Sequence, residues 1–152
     1  MAYPSIYLAS TTEQLFQRID QLNPESQGLW GKMTVGQMLS HCAVPYEQIL
    51  GTNTDQPPLL MRLILTLFLK KSMVNEVPYK RNLPTAPSFI RTDKYDFSIE
   101  KERLKNYIKT IQEMGAEKLA ATPSLSLGTL SATEWNNLLY KHIDHHLAQF
   151  GV

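Results

Sequence analysis

Apolar residues recur every three or four positions along most of the chain, and this spacing predicts α-helices. The two clearest apolar stripes are Leu15–Ile19–Leu22 and Leu104–Ile108–Ile111. No pair of alternating apolar and polar runs joined by a hairpin turn is present, so the sequence predicts no β-hairpin. The pattern therefore predicts an all-α fold of four or five helices, most simply a four-helix bundle.

A capping box marks the start of the second predicted helix. Thr34 is the expected N-cap, and Gln37 stands three residues later, where its side chain can bond back to the N-cap backbone. The helix should run towards Gly51. It should bend or end early at Pro45, because proline lacks the N–H that an inner helical turn requires.

The last helix has the clearest boundaries in the sequence. Ser131 and Glu134 form a second capping box, and Gly151 is placed to end the helix as its C′ residue. The preceding helix should begin at Asp96 or Ser98 and end at Gly115, which is a typical C-cap residue. Two well-marked helices thus frame the C-terminal third of the chain.

The most apolar segment, Leu59–Leu69, predicts an additional helix around residues 59–71, closed by Lys70 and Lys71. Eleven helical residues span only about 16 Å, and a membrane span needs about 20 residues, so this segment is not expected to cross a membrane. A helix that is apolar nearly all round is either deeply buried or used in an oligomer contact. Both alternatives are open at this point.

Composition and charge narrow the class of protein further. The 152 residues correspond to a single domain, which we take as residues 1–152. Fifteen Lys and Arg against fourteen Asp and Glu leave a net charge of +1, which argues against nucleic-acid binding. The one cysteine, Cys42, fits a reducing compartment, and residues 1–10 lack the features of a signal peptide. We therefore expect a soluble, cytoplasmic protein that binds neither nucleic acid nor membrane.

Histidines are the one feature of the sequence that carries chemistry. Three of the four, His142, His145 and His146, fall within five residues of the last helix, and His41 lies on the second helix. His142 and His146 are four residues apart and differ by only roughly 40° around the helix axis. They continue the apolar stripe of their helix. Two imidazoles at this spacing can bind one metal ion.

His41 is the candidate for the third ligand. The residues three before it and four after it are apolar, so it should face the core, where the inward faces of two helices meet. His41, His142 and His146 would then supply three neutral imidazoles and leave a coordination position open, which is typical of a catalytic metal site. The alternative is that all three are hydrogen-bonded core residues. His145 would be an outer partner or a surface residue.

No other residue is singled out as a catalytic group. Asp96, Glu100 and Glu47 could each serve as a general base, but the sequence favours none of them, so the catalytic residues stay unassigned. Gln37 and Gln149 share the faces of the histidines and would be hydrogen-bond partners, substrate contacts or plain structural residues.

Two segments resemble a known family. The stretches 30–42 (WGKMTVGQMLSHC) and 140–151 (YKHIDHHLAQFG) resemble the DinB/YfiT-like metalloenzyme superfamily. More narrowly, they are similar to an uncharacterised branch, a domain of unknown function whose chains end in an HxDHHLxQFG-type motif. The loop 81–87 (RNLPTAP) also resembles that branch, so the resemblance covers nearly the whole chain.

The resemblance implies a fold, a metal site and a reaction class. The implied fold is a four-helix bundle of up-down-down-up topology, and the implied ligands are His41, His142 and His146. Zinc or nickel is the implied metal, while imidazole ligands also allow iron. Relatives include enzymes that use low-molecular-weight thiols, and many form dimers. One departure is that members often carry a His-Pro pair before the last helix, where this chain has Thr122-Pro123.

The leading hypothesis is therefore a metal-dependent enzyme acting on an unknown small molecule. The ion would activate water for hydrolysis or a thiol for transfer. The alternative is a non-catalytic metal-binding or oligomeric interaction bundle, with the Leu59–Leu69 helix as the interaction surface. A homodimer fits either hypothesis.

Overall fold

The computed structural model describes residues 2–152, and Met1 lies outside it. The helices are α1 (Ala9–Asp20), α2 (Val35–Leu50), α3 (Leu59–Ile64), α4 (Lys70–Val74), α5 (Phe97–Ala120) and α6 (Ala132–Gln149). A π-helical turn at Leu65–Leu69 joins α3 to α4, and a 3₁₀ turn forms at Pro87–Phe89. The described residues contain no β-strand, only one isolated bridge between Ser124 and Gly128. The predicted all-α class is confirmed.

The four longer helices, α1, α2, α5 and α6, share one hydrophobic core. α2 packs against both α5 and α6, and α5 also contacts α1 and α6. Both predicted apolar stripes are buried, and α6 adds Leu139, Ile143 and Leu147. This packing sets α2 directly beside α6, and these are the two helices that carry the histidines.

The capping signals in the sequence are confirmed. The Thr34 hydroxyl accepts from the Gln37 backbone N–H, and the Gln37 side chain accepts from the Thr34 N–H, at 3.3 and 3.0 Å. Ser131 and Glu134 form the same reciprocal pair at the start of α6, at 3.2 and 2.8 Å. Gly151 follows α6 with φ of +79°, as expected of a C′ glycine.

Two helix-ending predictions need correction. Pro45 neither ends α2 early nor separates it into two elements, because the helix continues to Leu50 and ends at Gly51. Gly115 has non-helical φ and ψ of 77° and 171°, so the regular helix is broken there, but α5 resumes and ends at Ala120. Ile49 and Leu119, in the turns beyond Pro45 and Gly115, are buried, so the core packs against helical turns on the far side of both residues.

The apolar segment Leu59–Leu69 is helical, as predicted, but it is not deeply buried. No residue of α3 or of the π-helical turn is buried, and Leu59, Leu60 and Phe68 are 80%, 71% and 74% exposed. The buried alternative is therefore wrong. No helix among residues 2–152 combines the length and apolar character needed to cross a membrane.

Candidate metal centre

The inward faces of α2 and α6 bring three histidines together. His41 comes from α2, and His142 and His146 come from successive turns of α6. One ring nitrogen of each lies within 4.8 Å of the others, and His142 Nε2 is 3.0 Å from His41 Nε2. These are the three residues that the helical spacing predicted.

The dimensions of the cluster suit a tetrahedral metal site. Zinc–nitrogen bonds of about 2.0–2.1 Å place two tetrahedral ligand nitrogens about 3.4 Å apart. The 3.0 Å pair lies close to that separation. His41 and His146 are only 5% and 8% exposed, and His142 is more accessible. The three residues could hold one ion.

The backbone of Phe89 fixes the protonation of His41. His41 Nδ1 lies 2.9 Å from the Phe89 carbonyl oxygen, which can only accept a hydrogen bond. Nδ1 must therefore carry the proton, and in the neutral ring Nε2 keeps its lone pair. A histidine that ligates a metal through one nitrogen typically donates from the other in this way.

Gln149 and Trp30 fix the protonation of His146 by the same logic. Gln149 Nε2 donates to the Trp30 carbonyl at 2.7 Å, so the amide oxygen of Gln149 must face His146. His146 Nδ1 then donates to that oxygen at 2.8 Å, and His146 Nε2 keeps its lone pair. Of the two glutamines on histidine-bearing faces, Gln149 is thus the one that contacts a histidine, whereas Gln37 caps α2.

Gly31 makes room for the Gln149 amide. Its φ is +80°, and a Cβ built there would lie 2.5 Å from Gln149 Nε2. The loop 28–31 also binds the end of α6 through its backbone, because the Leu29 N–H donates to the Gln149 carbonyl at 2.7 Å. The loop and the last turn of α6 therefore form one unit that orients His146.

Burial keeps the three imidazoles neutral. It lowers the pKa of His41 and lowers that of His142 well below its usual 6.5, and the neighbouring His146 and His41 add to the effect on His142. Burial and then the proximity of His41 lower the pKa of His146 to about 3. Neutral imidazoles are the form that binds metal ions.

His145 does not belong to the cluster of three. Its ring stands 5.1 Å from that of His146, and on its other sides it contacts the rings of Trp30 and Tyr79 at 5.7 and 5.8 Å. Cys42 is fully buried in the core, and burial raises the pKa of its thiol. It packs as the small hydrophobic residue that the sequence indicated.

The carboxylates considered as general bases have other partners. Glu47 and Glu100 both form ion pairs with Arg103, and Asp96 caps α5 by accepting from the Ile99 N–H at 2.9 Å. Arg103 also donates to the Ser40 hydroxyl, which fixes this network on another face of α2. None of the three carboxylates contacts the histidines in the bonds described.

Sequence patterns did not indicate the two carbonyls that orient His41 and His146. Phe89 and Trp30 contribute backbone oxygens, which any residue type could supply. The available signals were indirect: Pro87 at the start of a 3₁₀ turn, and Gly31 at a position that needs positive φ. These loops lie 48 and 119 residues from the side chains that they contact.

A helical protein with a buried three-histidine cluster is thus the class that fold and site define. A family model described as "Protein of unknown function (DUF1569)" matches residues 8–151, and the chain belongs to that family. Neither the curated proteins nor the solved structures gave a significant match. The predicted domain of unknown function is confirmed at this level.

Proposed function

We propose that this protein is a metal-dependent enzyme in which His41, His142 and His146 hold one divalent ion. The carrying observation is the pair of fixed tautomers, since Phe89 and Gln149 hold two Nδ1 protons and leave two Nε2 lone pairs inside the cluster. The His41 Nε2 lone pair faces another imidazole nitrogen, His142 Nε2 at 3.0 Å, so a single ion between the rings could be bound by all three histidines. The bound ion would act as a Lewis acid that lowers the pKa of a water or of a substrate thiol.

The residues around the cluster have separate tasks in this proposal. Three protein ligands leave a coordination position for water or substrate. The Phe89 ring stands 5.7 Å from the His41 ring and 6.1 Å from the His142 ring, so it limits solvent on one side. Hydrolysis or thiol transfer on a small molecule fits such a site.

The finer parts of the proposal rest on the motif resemblance. They are the DinB/YfiT-like up-down-down-up arrangement of the bundle, zinc or nickel as the metal with iron also allowed, a low-molecular-weight thiol as one candidate substrate, and a cytoplasmic location. The stretch before α6 lacks the histidine common in relatives. Here the Thr122 carbonyl accepts from the Trp135 indole at 3.2 Å, and Trp135 lies about 10 Å along α6 from His142.

Elemental analysis by mass spectrometry on tag-free protein tests the proposal. The wild-type chain, reconstituted with zinc or nickel, should retain close to one ion per chain, and His142→Ala should lose it. His145→Ala is the matched control, because it removes a neighbouring imidazole that is outside the cluster, and it should retain the ion. Metal-free wild type after reconstitution would refute the metal site.

The exposed α3 favours a second candidate, which is self-association of this chain through α3 and the π-helical turn. Eight large apolar side chains are exposed there, enough to approach the roughly 800 Å² that each partner buries in a specific interface. They surround the helix, whereas a helix lying on a lipid surface keeps one polar face. The near-zero net charge of +1 puts little electrostatic repulsion between two copies.

Sedimentation equilibrium tests the self-association. The wild-type chain should be dimeric at micromolar concentration, and Leu60→Asp with Phe68→Asp should shift it to monomer. Leu83→Asp is the matched control, because Leu83 is 50% exposed but lies outside α3. A monomeric wild-type chain would eliminate this candidate, and metal content in the double variant would show whether the site depends on it.

A further inference from the structure

Residues 87–95, which we call the strap, lie along the first half of helix α2. The strap begins with the 3₁₀ turn that presents the Phe89 carbonyl to His41, and it ends just before Asp96, which caps α5. None of the strap side chains is buried. No fully buried side chain therefore anchors the strap, which increases the weight of its backbone contacts with α2.

Gln37 of α2 contacts the strap with the half of its amide that the helix cap does not use. Its Oε1 accepts from the Thr34 backbone N–H at 3.0 Å, which is the capping-box bond. Its Nε2 donates to the strap carbonyl of Asp93 at 3.3 Å. A glutamate would make the capping-box bond equally well, since the motif takes Glu or Gln at this position. Only the bond to Asp93 requires the amide nitrogen.

Gly36 lets the strap approach α2 more closely than any residue with a side chain would. A Cβ built on Gly36 would lie 2.6 Å from the Tyr95 carbonyl oxygen and 3.3 Å from its carbonyl carbon. Gly36 does not have a positive φ, and it lies inside the regular part of α2. Alanine is the better helix former at such a position. Helix formation therefore does not explain the glycine, whereas the close approach of Tyr95 does.

The strap runs in the opposite direction to α2, because successive strap residues meet earlier residues of the helix. The contacts, in strap order, are Phe89 with His41, Asp93 with Gln37, and Tyr95 with Gly36. His41 lies four and five residues from the other two helix positions, roughly 6–7.5 Å along the helix axis. The strap thus connects the N-terminal turn of α2 with the candidate ligand about one turn further on.

We propose that Gln37 and Gly36 are positioning residues for the metal centre, which act on His41 through the strap. The inference rests on the proposed function, because it takes His41 as a ligand of the ion. The Gln37 amide and the space at Gly36 hold the strap against α2, and the strap holds the Phe89 carbonyl 2.9 Å from His41 Nδ1. Metal binding at His41 Nε2 and docking of the strap on α2 therefore favour each other, and this coupling is reciprocal.

Gln37→Glu separates the strap contact from the helix cap. The glutamate keeps the capping-box bond, and its negative charge is favourable at a helix N-terminus, so the melting temperature should not fall. The ionised carboxylate has no donor for the Asp93 carbonyl and repels it. The added negative charge by itself would favour a nearby cation, so a loss of zinc affinity would have to come through the strap.

Two measurements follow the strap and the ion separately. The NMR signal of the His41 Nδ1–H in chelator-treated protein, identified by its absence in His41→Ala, reports the bond to Phe89 without any metal. Calorimetric titration with zinc reports metal affinity. In Gln37→Glu the signal should exchange with water about tenfold faster. Zinc affinity should fall about tenfold, the lower end for a change in an outer partner of a ligand.

Gly36→Ala is a second variant that displaces the strap from another point. Its Cβ would collide with the Tyr95 carbonyl, so the same two losses are expected although alanine favours the helix. Glu134→Gln is the matched control, because it makes the reverse exchange of carboxylate and amide in the capping box of α6. It should leave the His41 signal and the zinc affinity as in the wild type.

Wild-type proton exchange and wild-type zinc affinity in both Gln37→Glu and Gly36→Ala would overturn the inference. If the wild-type chain binds no zinc, the proposed function fails. The His41 signal of the metal-free protein then still decides whether Gln37 and Gly36 position His41, so the two failures are distinguishable.

Discussion

Helix α6 and the apolar segment Leu59–Leu69 show opposite relations between composition and burial. α6 buries two asparagines, a lysine, a histidine and a glutamine, whereas the segment exposes nearly all its leucines. Each buried polar side chain of α6 has a partner. Asn136 accepts from the Ile6 N–H at 2.7 Å, and Asn137 donates to the Val74 carbonyl at 2.9 Å.

Hydrogen-bond partners, rather than apolar content, therefore decide which side chains of these two regions are buried. Most of these polar groups bond to backbone atoms of α4 and of the surrounding loops, which fixes α6 in one position. The side-chain hydrogen bonds of the apolar segment are local ones, from Arg62 to Gln56 and from Ser72 to the Leu69 carbonyl. The histidines and their hydrogen-bonded polar neighbours therefore lie in the core, whereas the apolar side chains of Leu59–Leu69 remain exposed.

We expect the largest effect on metal binding, from a substitution in the histidine cluster and not from one in the exposed segment. His41→Ala removes one of three ligands and should abolish tight zinc and nickel binding in a chelator competition, with helix content by circular dichroism preserved. Leu60→Ala, in the exposed segment, should bind the ions as the wild type does. Unchanged affinity in His41→Ala would remove α2 from the metal centre.

Shortening one leucine in each region compares the two regions by the free energy of unfolding. Leu139→Ala in α6 should lower the free energy of unfolding by about 2–5 kcal/mol, because it leaves a cavity in a fully buried site. Leu60→Ala should change it by less than about 0.5 kcal/mol in the monomer. Urea denaturation at low protein concentration measures both. A large cost at Leu60 would mean that the exposed segment packs against something in solution.

Loss of the Gln149 amide should have a smaller effect on metal affinity than loss of a ligand. Gln149→Leu removes the acceptor that fixes the His146 tautomer, and changes to such outer partners typically cost 10–100-fold in metal affinity. Gln48→Leu is the control, since Gln48 bonds only to the exposed Asp55 carbonyl. Calorimetric titration with zinc compares the two. Equal affinities would show that Gln149 has no orienting role.

We expect the smallest effect, a gradual one, on the pH dependence of the free energy of unfolding. The pKa of His146 is about 3 in the folded chain and about 6.5 when unfolded, so the unfolded chain binds the extra proton between these values. Stability of the metal-free protein should therefore fall as pH drops below about 6.5 and continue to fall towards pH 3. His146→Leu should show a slope shallower by up to about 1.4 kcal/mol per pH unit. Identical slopes would contradict a depressed His146 pKa.

Local signals predicted most of the fold. The capping boxes at Thr34 and Ser131 determine helix starts through bonds between residues three apart, so the sequence contains all the needed information. The early helix end at Pro45 was wrong, and Gly115 breaks the regular helix without ending α5, because the turns beyond both residues are buried. That burial depends on residues far away in the sequence, and spacing along one helix does not reveal it.

The residues of the candidate site were likewise predicted only in part. His41, His142 and His146 were predicted because side-chain type and helical spacing identify them. The Phe89 and Trp30 carbonyls were not, because a backbone oxygen has no residue-type signature.

Pro45 affects the helix on one side of the candidate metal centre, α2, which carries His41. It stands four residues after His41, so the His41 carbonyl lacks the N–H that would bond to it in a regular helix. Helix α2 can therefore bend at the level of its ligand with little loss of hydrogen bonding, whereas α6 contains no proline and holds His142 and His146 rigidly. A metal site between a helix that can bend and a helix without proline could adapt to ions whose preferred metal–nitrogen bond lengths differ.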